Sequence, residues 1–244
     1  LPTGRDKPPR PAKIPPIVAA RVRRAARPKG ELIMDIYGSI LSPFVARCIL
    51  AARFKGIKHT FSMPKDGIKS PAFLKLNPLG KMPAMKDGKL TLFESSVIAE
   101  YINGKSKKKP LVPSAAKAAA KVRLAGAVFA DYVQPPVLAL LKHLNPATRD
   151  QGAVDAKLME IAKGLDVAES LIGKPYAAGK FSLADCYAAP ALFFLNAFLP
   201  RFGLMNALGD RPKLTAYWAR LQKDKLTKTV IQEMGEALKA FAAR

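Results

Sequence analysis

From Met34 onward the chain switches repeatedly between two-residue and helical hydrophobic spacing. Asp35-Ile36-Tyr37 reads as a short strand that Gly38-Ser39 ends. Ser42-Pro43 then supplies an N-cap with proline at the first helical position, and Val45, Ile49 and Ala52 recur at helical spacing up to Gly56. Ile57 to Phe61 alternates as a second strand, and Ser70-Pro71 repeats the cap-plus-proline start before a short helix through Leu76. Residues 83–86 and 90–93 flank Asp87-Gly88, a hairpin signal. Glu94 to Ile102, with Val97, Ile98 and Tyr101 at spacing three and four, closes the unit as a helix. The order βαβαββα is the thioredoxin-like arrangement.

From Gly104 to Ser114 the composition shifts to Gly, Lys and Pro and marks a linker; everything after it reads as helix. Val122, Ala125, Phe129 and Tyr132/Val133 form one apolar stripe, and Val154, Leu158, Ile161, Leu165, Ala168 and Leu171/Ile172 a second. Leu214, Tyr217/Trp218 and Leu221 form a third, and Val230, Met234, Leu238 and Phe241 a fourth. The pattern predicts an α+β two-domain protein: a thioredoxin-like N-terminal domain over 34–104, a linker over 105–114 and an all-α C-terminal domain over 115–244.

Charge changes the picture only at the front of the chain. The 244 residues carry 41 Lys+Arg against 18 Asp+Glu, a formal net charge of +23. Residues 1–33 hold nine of the basic residues, two acidic ones and seven prolines, so they read as a basic tail, disordered or processed. Three origins stay open for it: an organelle-targeting peptide, a natural basic extension, or sequence upstream of the true start at Met34. The longest uncharged run, 186–200, contains Pro190 and Asn196 and is shorter than the roughly 20 residues of a bilayer span. Two Cys and two His, in separate elements, exclude a disulfide scaffold and disfavour a metal enzyme. A reducing compartment fits, and the body is expected to be cytoplasmic. Neither a phosphate-binding Gly-rich loop nor a G-x-S-x-G elbow is present.

Three local features carry chemistry, each with a plainer reading beside it. Ser42 stands at a helix start, where free N–H groups and the dipole favour an anion, and its hydroxyl can donate to a thiolate; it can equally be a simple cap. Asn77-Pro78-Leu79-Gly80-Lys81-Met82-Pro83 puts proline at the start of a strand. A cis Met82–Pro83 bond would turn the Met82 main chain outward to pair with an extended peptide, although only about 5% of such bonds are cis. Glu94-Ser95 opens the next helix and could grip the ammonium and carboxylate of one amino-acid end, or merely complement the helix dipole.

The order and spacing of these features resemble the cytosolic glutathione S-transferases of the serine type, most closely the phi class. The matching stretches are Tyr37 to Ser42, Lys69 to Pro83, Glu94 to Ile102, and Tyr176 to Asp185, followed by Arg211-Pro212-Lys213. Within the fourth stretch Ser182 and Asp185 have the spacing of a capping box, with Phe181 and Cys186 placed as a staple. The resemblance implies glutathione as substrate, no metal, and a homodimer. It places Ser42 on the glutathione sulfur, with Tyr37 as runner-up. Met82, before Pro83, falls on the cysteinyl main chain, Glu94 and Ser95 on the γ-glutamyl end, and Lys69 and Lys81 on the glycyl carboxylate. Leu79 stands where an aromatic often occurs, which leaves the source of the dimer contact open. Cys48 lies too far into its helix for a catalytic thiol and is expected to pack between helix and sheet; His59 and His143 have no assigned role.

The electrophile site is expected in an apolar cleft between the domains, with Ile40, Leu41 and Phe44 facing Phe129 and Val133; ordinary core is the equal alternative for these five. The implied activity is conjugation of the glutathione thiolate to hydrophobic electrophiles, with glutathione-dependent peroxide reduction as a further activity of such enzymes. The alternative is a non-catalytic ligand carrier or scaffold on the same fold, like the elongation factor 1B gamma subunit. No membrane is implied, and nucleic acid is disfavoured because no recognition helix or aromatic-plus-basic sheet motif is present.

Overall fold

The computed structural model describes residues 33–243. The reading of the basic tail, apart from Ile33, lies outside them. The N-terminal unit runs β1 (Met34–Tyr37), α1 (Pro43–Lys55), β2 (His59–Ser62), α2 (Pro71–Leu74), β3 (Ala84–Asp87), β4 (Leu90–Phe93) and α3 (Ser95–Gly104). Its sheet has the order β2-β1-β3-β4, with β1 and β2 parallel and the other pairs antiparallel. β1 alternates as a strand must, burying Met34 and Ile36 and leaving Asp35 and Tyr37 on the opposite face. On α3 the inward face is Ser95, Ile98, Ala99 and Ile102, whereas Val97 is exposed.

The second half is helical: α4 (Ala116–Ala127), a π-helical turn (Val128–Val133), α5 (Gln134–Leu140), α6 (Gln151–Leu171), α7 (Leu183–Phe198), α8 (Pro212–Lys223) and α9 (Lys225–Ala242), with short 3₁₀ turns between. The first stripe was expected to run as one helix and instead widens at Val128–Val133. Pro135 and Pro136 follow directly and cannot donate to the carbonyls of Asp131 and Tyr132 four residues back. The Tyr132 carbonyl lies against Gly164 of α6, where a Cβ would come within 2.7 Å of it. Only glycine lets these two backbones approach so closely.

α1 packs on α3 and on α7, which joins the two halves through one continuous core. α7 starts at the expected capping box: the Asp185 carboxylate accepts from the Ser182 N–H at 2.7 Å, the Ser182 hydroxyl at 3.0 Å, the Ala177 N–H at 3.0 Å and the Tyr217 hydroxyl at 2.7 Å. Phe181 stacks on Phe54 of α1 at 4.5 Å. By length and mean hydropathy two helical stretches, Ala116–His143 and Leu183–Phe202, reach the range of a bilayer span, which the charge-free-run criterion overlooked because it tolerates no charge at all. In the most apolar window of the second, 78% of the residues are buried within the protein, as a core helix requires.

Candidate functional site

The site begins at the turn from β1 to α1. Gly38 has φ +148, and a Cβ there would fall 2.5 Å from a Val45 methyl and 3.1 Å from Met82 Cβ, so the chain threads a gap that admits no side chain. Ser42 then takes an extended N-cap conformation with Pro43 at the first helical position. Its carbonyl accepts from the Val45 and Ala46 N–H groups, and its own N–H bonds the Ser39 carbonyl at 3.0 Å. Its hydroxyl makes no capping hydrogen bond. Tyr37 is half-buried within β1, registered between Ser62 of β2 and Ala84 of β3.

The 77–83 loop comes up beside this turn. Asn77, buried, braces it from within: its Nδ2 donates to the Lys81 carbonyl at 2.7 Å and its Oδ1 accepts from the Leu79 N–H at 3.0 Å. The Met82–Pro83 bond is cis, and Met82 lies just outside the β1–β3 ladder, which ends at Ala84. The Met82 sulfur accepts from the Ser39 N–H at 3.5 Å and so ties this loop to the one before Ser42. Lys69 and Lys81 are exposed, and the Lys69 ammonium lies 3.5 Å from the Leu79 carbonyl.

Glu94 precedes α3 at φ +66, a left-handed conformation that costs a non-glycine residue about 1–3 kcal/mol and is one of the strained conformations that cluster at functional sites. Its carboxylate is exposed, while Ser95 behind it is buried. The Cys48 thiol donates to the Phe44 and Ser95 carbonyls at 3.4 Å each, which places it between α1 and the start of α3 in the buried core. Burial pushes its pKa up to about 12, which removes it as a nucleophile. Among the described residues no three His, Cys, Asp or Glu side chains form a metal-ligand group.

A cavity of about 830 Å³ opens next to Glu94 and Ser95. Its first wall is Phe44 and Arg47 of α1; its second is Gly126, Ala127, Ala130 and Asp131 of α4 and the π turn, with Tyr187 of α7 between. Of the five residues expected for an electrophile, Phe44 lines this cavity. Ile40 and Leu41 are half-buried beside the core and stand outside its wall. Phe129 and Val133, 1% and 0% exposed, are core: their face of the π turn packs on α6 and α7, and the small residues around them face the cavity instead. Sequence reasoning missed three residues here. Asn77 lay inside a recognised motif without a role, and Tyr187 within an apolar run. Arg47, given no role in the sequence, is 3% exposed, with its guanidinium over the Tyr187 ring at 4.1 Å and near the Phe44 ring at 5.1 Å. Burial lowers its pKa from the ordinary arginine value.

The comparisons with known proteins converge on one family. The profile of the glutathione S-transferase N-terminal domain matches residues 41–105, and that of the C-terminal domain matches residues 128–225. Glutathione S-transferase F13 of Arabidopsis thaliana is 33% identical over 204 residues, spanning 78% of this chain and 91% of that protein. Glutathione S-transferase 3 of Zea mays is 35% identical over 198 residues, spanning 76% and 87%. Glutathione S-transferase I from maize, solved in complex with an atrazine glutathione conjugate, superposes with a TM-score of 0.70 at 29% identity and covers 83% of this chain and 98% of its own. With both halves matched in sequence and in fold, the chain belongs to the glutathione S-transferase family, phi class, and is a glutathione transferase enzyme.

Proposed function

We propose that this enzyme binds glutathione along residues 34–104, uses the Ser42 hydroxyl to hold the sulfur as thiolate, and conjugates it to hydrophobic electrophiles held between residues 34–104 and 115–244. The supporting observation is the Ser42 hydroxyl, which sits at the start of α1 and makes no capping bond. A free thiol ionises near pH 8.5, so a site favouring the anion by about 2 kcal/mol makes it mostly thiolate at neutral pH. The sulfur then attacks the electrophilic carbon, an S–C bond forms, and the displaced electron pair leaves with a leaving group or moves into a conjugated acceptor. Met82 would pair with the cysteinyl unit through its main chain, ahead of Pro83. Glu94 and Ser95 would hold the γ-glutamyl end, and Lys69 and Lys81 the glycyl carboxylate.

A homodimer fits an apolar face that includes part of the cavity wall. Leu79 is 52% exposed, and Phe93, Val97 and Leu124 are exposed as well; Val97 lines the cavity together with the Arg123–Glu100 ion pair of 3.0 Å that ties α4 to α3. A second copy would cover this apolar face. The two cysteines, buried and unpaired, fit a reducing compartment such as the cytoplasm.

The decisive experiment compares wild type and Ser42→Ala for the ultraviolet absorbance of bound thiolate and for conjugation of an aryl halide. Loss of both signals in the variant with an unchanged circular dichroism spectrum supports the reading. A wild type with neither signal would return the fold to ligand carriage or scaffolding.

A further inference from the structure

The two ends of the sheet in the N-terminal domain differ in chemistry. Ser42, Met82 and Glu94 gather where β1 and β4 finish and where α1, β3 and α3 begin. At the far end α1 and α3 finish, β2 starts, and β3 turns into β4. Lysine collects there. Lys58 before β2, Lys86 on β3, Lys89 at the hairpin tip, Lys105 after α3, and Lys107, Lys108 and Lys109 in the linker are all exposed. These segments are tied to one another: the Met34 N–H bonds the Lys58 carbonyl at 3.3 Å, and Lys105 pairs with Asp87 of the hairpin. Lys55, itself buried, donates from the end of α1 to the carbonyls of Ser106 and Lys108, the latter at 2.7 Å. That holds the linker backbone against α1 while the lysine side chains stay in water. Lys109 even adopts φ +48, a left-handed conformation that favours glycine.

The carboxylates at this end are already engaged. Asp87 is held by Lys105 and the Tyr101 hydroxyl, Glu233 of α9 by Arg53 at 2.8 Å, and Asp35 accepts from the Thr60 hydroxyl at 2.6 Å. Among the described residues Lys86, Lys89, Lys107, Lys108 and Lys109 form no ion pair. Residues 1–33, with nine basic residues against two acidic ones, join the described chain at this same end.

We infer that this lysine end docks the protein peripherally on membranes rich in anionic lipid, with residues 107–109 as the main contact and the hairpin tip beside them. Lysine is a hydrated point charge that suits spaced lipid headgroups. None of the exposed residues of the hairpin, the β2 start and the linker is aromatic, so nothing there stacks a nucleic-acid base. Leu90, 40% exposed next to Lys89, adds an apolar side chain that can enter the headgroup layer. The contact is electrostatic and inserts no helix. Ser42, Met82 and Glu94, at the other end of the sheet, stay open to water, so docking leaves the proposed glutathione site accessible.

The test measures co-sedimentation of the full chain with vesicles of phosphatidylcholine alone and of phosphatidylcholine with an equal part of phosphatidylserine. Binding is expected only to the second, with release at about 1 M salt, where the screening length falls to about 3 Å. The triple variant Lys107→Gln, Lys108→Gln, Lys109→Gln should bind about 10²-fold more weakly, each lysine contributing about fivefold, with an unchanged circular dichroism spectrum. The double variant Lys86→Gln, Lys89→Gln should weaken binding as well, and it decides the matter if the triple variant fails to fold. Equal binding to the two vesicles overturns the inference. So does undiminished binding in the variants, which would leave the attraction to residues 1–33. Tighter binding of single-stranded oligouridylate than of the anionic vesicles at physiological salt would hand the surface to nucleic acid and overturns it too. None of these readouts depends on conjugation, so the inference and the transferase site fail separately.

Discussion

Two Ser-Pro pairs open helices in the N-terminal domain, and they use their hydroxyls differently. Ser70 accepts from the Phe73 N–H at 3.3 Å and donates to the Gly67 carbonyl at 2.8 Å. Ser42, with the same extended backbone and the same proline after it, makes no capping bond. The helices differ in what sustains them. α2 is a single turn of four residues that buries only Phe73, so its cap is a large part of its stability. α1 has 13 residues and buries most of them against α3 and α7, so it can do without one. A cap is free for chemistry where packing already holds the helix.

Ser42→Asp should separate the two roles most sharply. Aspartate is as good a cap as serine and suits the helix dipole, so the thermal midpoint should hold or rise. Its charge faces the thiolate, however, and removes the donor, so turnover should fall by about 10²-fold or more. Retained activity in Ser42→Asp would reduce Ser42 to a cap. At the other pair, Ser70→Ala should cost about 1 kcal/mol in denaturant unfolding with little change in kcat, while Ser70→Asn should recover most of that loss. A third contrast lies within α1 itself. Six residues past Ser42 the helix buries Cys48, whose pKa of about 12 keeps it protonated, so iodoacetamide at neutral pH should leave it unmodified in the native protein. Rapid alkylation of Cys48 would mean that α1 opens far more than its packing suggests.

The fold was legible because each element announces itself by a change of period or by a start signal. The two Ser-Pro pairs, Asp87-Gly88 and Ser182 to Asp185 all fall at the ends of observed elements. What stayed hidden depends on contacts distant in sequence. An apolar stripe says that Phe129 and Val133 are buried, but not whether core or cavity receives them, and the π turn ahead of Pro135-Pro136 alters the phase that would decide it. Nothing in the local sequence singled out Arg47, because its aromatic neighbour Tyr187 is 140 residues away in the chain. The backbone strain at Glu94 was equally invisible: no local residue pattern marks a glutamate at φ +66.

Tyr37 gives the smallest and final contrast with Ser42. Both carry a hydroxyl near the start of α1, but Tyr37 sits within β1, its residue registered between two neighbouring strands, and it occupies the sheet face opposite the buried Ile36. Ser42 has left the strand and stands at the helix end, where the dipole and the free N–H groups favour an anion. Tyr37→Phe keeps the ring and its packing and removes only the hydroxyl. Its effect on kcat/KM should stay within about 0.5 kcal/mol, or roughly twofold, as for a substitution outside the reacting groups. Ser42→Ala, by contrast, should raise the pH at which bound glutathione ionises toward the free-thiol value near 8.5. If the two outcomes are exchanged, so that Tyr37→Phe loses the thiolate and Ser42→Ala keeps it, the sulfur's partner is on the strand and the hydroxyl of Ser42 is simply unused.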